Sequence, residues 1–498
     1  MASLKKIPSP ITILFIVIII AAAATWLLPA GEYNTLSYSN GAFTVTTTSG
    51  DKVLPANQHT LDSLKILITL DKFKSGDIFK PIAIPGTYHP LKSNKQGFTD
   101  VIQAPVKGLY DSSDIIFFLL FIGGFIAVFQ QTGAMEQGVD YLSYKMKGQE
   151  AWLIISITFF FAFCGAAEGM AEEGLAFYPI LVPLYLSAGY DLLVPLAVIF
   201  AGTNIGNMAS FSNPFSTVIA SNAAGINWTD GFAERVIFFV VTTAITIWYI
   251  VRYAQKVKKR PATSLVLRLD GVVTSPFASF EAESDKKVRL APKNSLLIFI
   301  FLATIGIMIG GFIEGWSMIG ATALFIVSSV LIAVISGMGE KVFIEKLIEG
   351  IKSLISVAFI VGVARGVTIV LNDGHISGTL LYFSAKMVGH MPGVGFILMM
   401  LVLYMVFTLF ISSSSGMAVL TMPIFGSLAV IVGVPGKEIV NAYLFGMGIM
   451  GLVTPTGIML PSLDIARVSV KAWLRFVYPL MIILIVVSAL FLIVGVLR

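Results

Sequence analysis

From Ile11 to Ala30 the chain runs for 20 residues without a charge. A helix of that length crosses about 30 Å of hydrocarbon. Hydrocarbon offers no water to a loose backbone N–H or C=O, so such a run folds as a helix that bonds internally. Apolar runs of the same kind recur to the end of the sequence. Only 12% of the 498 residues are charged and 56% are hydrophobic, with a mean hydropathy of +0.88. A soluble protein would carry roughly 25% charged residues. The reading is an all-α polytopic membrane protein.

Several function classes drop out at once. The one cysteine, Cys164, rules out an intramolecular disulfide, and His59, His89, His375 and His390 form no spaced metal cluster. There is no Gly-rich phosphate loop, no HExxH and no nucleophile elbow. These patterns argue against an ATP-driven pump and against an enzyme, and no cofactor or metal is expected. A serine-protease reading of Ser413–Ser415 lacks a base, because no histidine lies in the spans near them and no intramembrane lysine is available.

Lys5 and Lys6 precede the first run, which exceeds the roughly 7–15 apolar residues of a secretory signal. It reads as a retained first helix with a cytoplasmic N-terminus. Residues 31–112 are polar, with eight lysines against seven acids, whereas 252–293 hold ten Lys/Arg against four acids. The positive-inside rule therefore puts 252–293 in the cytoplasm and 31–112 outside. The net charge of +5 is thus a matter of location, and no nucleic-acid partner is expected. Full spans are predicted near 113–132, 232–251, 295–313, 317–337, 352–371 and 473–496. Short arms at 151–163 and 174–189, and again at 394–411 and 417–434, read as two re-entrant hairpins. Residues 191–222 and 439–470 read as helices broken at Pro214 and Pro455. The chain then divides into 1–112, a first helix and extracytoplasmic segment, and 113–253, a first repeat. A cytoplasmic linker 254–293, scaffold helices in 294–338 and a second repeat 339–498 complete it.

The repeat shows in the residues. GAMEQGVDYLSYKMKG begins at Gly133 and GHISGTLLYFSAKMVG at Gly374, an ungapped offset of 241. In that register Tyr141 pairs with Tyr382, Ser143 with Ser384, Lys145-Met146 with Lys386-Met387, and Gly148 with Gly389; Pro214 and Pro455 share the offset. With one half entering from inside and the other from outside, the repeats are inverted, as in secondary transporters whose site lies at the repeat interface.

The candidate site follows from the tips and the breaks. The first tip, CGAAEGMAEEG, carries Gly165, Glu168, Glu172 and Glu173, and the first break carries Ser212, Asn213, Pro214, Ser216 and Thr217. The second tip follows Ser412 with Ser413, Ser414, Ser415 and Gly416, and the second break carries Thr454, Pro455, Thr456 and Gly457. Tips and breaks expose backbone groups, and hydroxyls add neutral oxygens suited to Na⁺ or a polar substrate. The alternative for the serines is simple helix capping at a turn, and the site reading is preferred because both tips meet both breaks in the repeat. If the second arm is helical from about Gly169, Glu168 and Glu172 share a face and repel unless one is protonated or a cation sits between them. The alternative is a solvated mouth. Arg365, a basic residue well inside the predicted span 352–371, reads either as an ion pair with one of these glutamates or as a clamp on a substrate carboxylate. Asp464, followed by Arg467, reads as a local charge pair.

At these residues the chain resembles the YfcC-type carriers, grouped with the anaerobic dicarboxylate carriers and some arginine–ornithine antiporters. The resemblance rests on Pro29-Ala30-Gly31-Glu32, Pro85-Gly86-Thr87-Tyr88, QGFTDVIQAP, GMAEE with FYPILVP, NPFSTVIAS, Ala364-Arg365-Gly366 and the SSSG ending at Gly416. It departs from the family pattern at Cys164-Gly165-Ala166-Ala167-Glu168, at Ser412 and at Pro455-Thr456-Gly457. It implies a dimerising scaffold domain and an elevator-type transport domain of hairpins and broken helices in a bacterial inner membrane.

The expectation is a secondary transporter or exchanger of a small carboxylate-bearing metabolite, coupled to Na⁺ or H⁺ if to any ion. Three glutamates near one tip favour a cationic or zwitterionic ligand, and the resemblance puts a basic amino acid such as arginine or ornithine first, with a four-carbon dicarboxylate as the alternative. A channel is the runner-up mechanism. The expected partners are the lipid bilayer, a small-molecule substrate and a second copy of the chain.

Overall fold

The computed structural model describes residues 10–75, 78, 80–135, 137–138, 141, 149–271, 290–314, 316–389, 391–411 and 413–498. Among them, nine helices are long and apolar enough to cross a membrane: Pro10–Leu27, Ser113–Gln131, Glu150–Glu168, Phe232–Lys259, Met318–Ser336, Ile355–Asp373, Gly393–Phe410, Ser414–Ile431 and Val470–Leu497. Pro292–Ile313 adds a further apolar helix.

The first correction lies between the first two spans, where the chain is not all-α. Short strands β1 (Gly31–Glu32), β2 (Thr35–Ser39), β3 (Ala42–Thr47), β4 (Gly50–Pro55), β5 (Ile82–Ala83) and β6 (His89–Pro90) form a four-stranded sheet in the order β4-β3-β2-β5 and a separate β1-β6 pair. All the pairings are antiparallel. Leu36, Phe43, Phe73 and Ile82 close a small core on this unit, with Phe43 and Phe73 edge to face at 5.1 Å. The strands are two to six residues long, so each buries too little apolar surface to mark itself in a polar stretch.

The same segment ends in a second departure. Phe98–Asp111 is a helix, and it lies against the span Ile355–Asp373. Gly108 makes the approach close: a Cβ there would collide with the carbonyl of Gly362 and stand 2.8 Å from the amide of Gly366. Small residues let helix backbones approach in this way. An amphipathic helix, Glu340–Ser353, precedes that span and packs on Ser113–Gln131, where Gly123 and Gly350 abut. Phe125 and Phe129 stack on Phe301 at 5.1 and 4.4 Å and tie in Pro292–Ile313.

Helix–tip–helix pairs and interrupted helices occur in both halves, but Glu150–Glu168, Gly393–Phe410 and Ser414–Ile431 have spanning length, unlike the short arms expected. Glu150–Glu168 runs to a tip at Gly169–Ala171, and the chain returns through a 3-10 turn, Glu172–Phe177, into Tyr178–Ser187. The first broken helix comprises Leu193–Met208, then an irregular stretch, then the turn Pro214–Val218 leading into Ile219–Ala223. The second hairpin is Gly393–Phe410 followed by Ser414–Ile431, and the second broken helix is Gly436–Gly451 followed by Met459–Ala466. Phe238 stacks on Phe445 at 3.8 Å, and the Trp473 indole N–H donates to the Leu452 carbonyl at 2.8 Å. Those contacts bind the second broken helix to the long helices Phe232–Lys259 and Val470–Leu497. The register segment at 133–148 falls mostly outside the described residues, as does Ser412.

Candidate functional site

Each broken helix meets the hairpin of its own half through polar contacts. Proline cannot donate an amide, so Pro214 suits the first helical position, and Asn213 caps the turn by accepting from the amides of Phe215 at 2.8 Å and Ser216 at 3.2 Å. The hydroxyls of Ser210 and Ser212 donate to the carbonyls of Ala166 and Ala167, each at 3.2 Å. Asn207 donates to the Met170 carbonyl at 3.0 Å, and Asn213 to the Asn207 side-chain oxygen at 3.2 Å. Loose carbonyls at the end of the first arm are thereby satisfied by the break, as buried backbone groups require. Gly169 has φ +78°, and a Cβ there would stand 2.5 Å from the Asn213 amide nitrogen, so glycine is needed both for the turn and for the fit.

The second half repeats the arrangement with hydroxyls. Thr454 donates to the Thr408 carbonyl at 3.4 Å, Thr456 to that of Leu409 at 3.5 Å, and the two threonines lie 3.1 Å apart. Ser413 caps Ser414–Ile431 by accepting from the Gly416 amide at 3.1 Å. The halves also touch each other. Ser414 Oγ donates to the Phe215 carbonyl at 3.5 Å, while within the second half Tyr443 donates to the Ser414 carbonyl at 2.9 Å. One tip therefore lies on the other half's break.

The predicted residues separate into groups. Gly165 sits at a helix crossing, where a Cβ would stand 2.5 Å from the Thr203 carbonyl; it packs. Thr217 pairs with Ser210 at 2.6 Å inside the break. Ser216 is fully buried and its hydroxyl meets no partner among the described residues, which marks it for water or a ligand. Pro455 and Gly457 form the turn of the second break, and Gly457 rests against Thr454. Glu173 is turned back on its own tip, accepting from the Ala171 amide at 2.8 Å. Glu168 ends the first arm, and left-handed Gly169 separates it from the 3-10 turn that Glu172 opens. The two therefore do not share one helical face, contrary to the i, i+4 expectation: the arm stops at the glycine instead of restarting there.

Arg365 also differs from expectation. Its guanidinium Nε pairs with Asp111, at the end of the helix packed on its own span, and not with a glutamate. Glu172 and Lys80 both lie within electrostatic reach of it. Asp464 and Arg467 form no side-chain pair; Arg467 adopts φ +55° and closes its helix with its amide on the Asp464 carbonyl at 3.2 Å.

Two functional candidates were invisible in the sequence. Lys80 donates to Ser415 Oγ at 2.7 Å, and Asp111 holds Arg365. Lys80 is one of eight lysines in a polar segment, and Asp111 is 254 positions from its partner, so neither had a local signal. Among the described residues no group of three or more His, Cys, Asp or Glu could hold a metal.

Comparison with known proteins places the chain. Residues 7–497 match the DcuC family, described as the C4-dicarboxylate anaerobic carrier. The chain is 37% identical to an uncharacterized protein of Haemophilus influenzae, covering 99% of each. It is 27% identical to YfcC of Escherichia coli, whose name assigns it provisionally as a basic amino acid antiporter, over 94% of this chain and 92% of that one. Among solved structures it is similar to the YdaH transporter of Alcanivorax borkumensis, at 15% identity, 98% coverage of each chain and a TM-score of 0.40. It is also similar to MtrF of Neisseria gonorrhoeae, described with a class of antimetabolite efflux pumps, at 14% identity, 99% and 96% coverage and a TM-score of 0.42. With helices of spanning length and a family match over almost its whole length, the chain is a membrane transporter belonging to the DcuC family of C4-dicarboxylate anaerobic carriers, and a relative of YfcC.

Proposed function

We propose that the protein is a secondary carrier that exchanges a small carboxylate-bearing metabolite, a basic amino acid such as arginine or ornithine first, by alternating access. The observation that carries this reading is the polarity of the two tips. The first is acidic, with Glu172 and Glu173 half-buried, and suits an amino or guanidinium group. The second is hydroxyl-lined, with Ser414 resting on the other half's break, and suits a carboxylate. A zwitterion has both groups. The name carried by YfcC supports the same choice.

A four-carbon dicarboxylate is the second reading. It is favoured by Lys80 on the serine tip, with Arg365 within electrostatic reach of that lysine, and by the family description. In either case hairpins and broken helices form an inverted pair that moves as an elevator against a dimerising scaffold, in a bacterial inner membrane with the N-terminus inside. Na⁺ or H⁺ is the coupling ion if one is used. Purified protein in liposomes preloaded with L-ornithine should take up labelled L-arginine, and uptake of succinate without L-arginine would reverse the order of the two readings.

A further inference from the structure

The β unit reaches into the second hairpin through the side chain of Lys80. Strand β5 packs against Ser414–Ile431, and two residues before that strand Lys80 extends its ammonium to Ser415 Oγ at 2.7 Å, a contact across 335 positions. Ser415 is 9% exposed and Lys80 is half-buried, so the bond is made inside the protein. Burial, and after it the like charge of Arg365, lower the proton affinity of the Lys80 ammonium.

An ammonium on a flexible four-carbon stem can leave a hydroxyl and take a carboxylate oxygen without moving its backbone. The hydroxyls of Ser413, Ser414 and Ser415 can each turn from acceptor to donor, so the tip can complete a carboxylate shell that the lysine begins. Lysine-to-carboxylate bonds are charge-assisted and stronger than neutral ones. Lys80 belongs to the β unit, whereas the serines belong to the hairpin. A hairpin that moves leaves the lysine behind.

We infer that Lys80 is a substrate ligand, shared between the β unit and the second hairpin, that holds a substrate carboxylate while the site opens toward the β unit. The inference rests on the carrier reading above and adds a side-dependent residue to it.

The test is initial-rate uptake of labelled L-arginine and labelled succinate by wild type, Lys80→Gln and Lys80→Arg in liposomes, with protein sorted by orientation. In Lys80→Gln the KM of whichever probe the wild type carries should rise by about tenfold or more, only from the face bearing the β unit, with the maximal rate changed far less. Lys80→Arg should recover most of the loss. An unchanged KM overturns the assignment, as does an equal change from both faces or a fall in maximal rate alone. Each of those leaves the carrier reading standing. If the wild type itself moves neither probe, the carrier reading and the lysine assignment fall together. Size-exclusion profiles of the three proteins separate misfolding from a binding defect.

Discussion

The two hairpin tips do the same structural work with opposite chemistry. The first is acidic and its hydrogen bonds stay within its own half: its carbonyls are taken by Ser210, Ser212 and Asn207, and Glu173 folds back on the Ala171 amide. The second is neutral and open to other parts of the chain, meeting Phe215 of the first break, Tyr443 and Lys80 of the β unit. One tip is fixed by local contacts; the other is a junction. A site built between them is asymmetric in charge although it comes from matching elements, and that asymmetry can orient a zwitterion.

The contrast is sharpest at glycine. Gly169→Ala must enter a left-handed turn and press on the Asn213 amide, so it should cost about 2 kcal/mol or more, read as a lowered unfolding temperature in detergent with loss of uptake. Full stability would show that the first tip is not locked by its break. Next in size, Glu172→Gln and Glu173→Gln should each cut L-arginine uptake roughly tenfold, equivalent to about 1.4 kcal/mol. Full uptake in both variants would make the acidic tip a solvated surface, and improved succinate uptake would favour a dicarboxylate. Asn213→Ala removes a cap with two accepted amides and should destabilise by about 1 kcal/mol, measured by thermal unfolding. Smallest is Gly416→Ala, at negative φ with a Cβ 3.1 Å from the movable Ser413 hydroxyl. It should stay within about 0.5 kcal/mol of wild type, and a loss as large as that of Gly169→Ala would erase the distinction between fixed tip and junction.

The breaks were legible because proline acts locally: Pro214, with Asn213 as its cap, and Pro455 interrupt apolar runs wherever those runs lie. The tips were legible because glutamate, serine and glycine clusters interrupt the apolar runs there, whereas the arms Glu150–Glu168, Gly393–Phe410 and Ser414–Ile431 have spanning length and are not short. The β unit was not, since its strands gain their apolar neighbours from Phe43, Phe73 and Ile82, which are far apart in sequence. The helix Phe98–Asp111 was hidden by its polar face, although Ala104 and Gly108 on its other face let it dock. The partner of Arg365 could not be read at all, because any acid near any span satisfied the same rule. Lys80 shows that limit most clearly, for its meaning comes only from the serine it reaches.

The central claim is that both tips and both breaks serve one alternating-access site, and counterflow tests it most directly. Liposomes holding the protein are loaded with unlabelled L-arginine or succinate and placed in a trace of the same labelled compound. The account predicts that label accumulates transiently above its outside concentration for one of the two probes, because outward movement of the loaded substrate returns an empty or loaded site for inward use. Label that only equilibrates, for both probes and at any preload, would describe a channel and contradict the account.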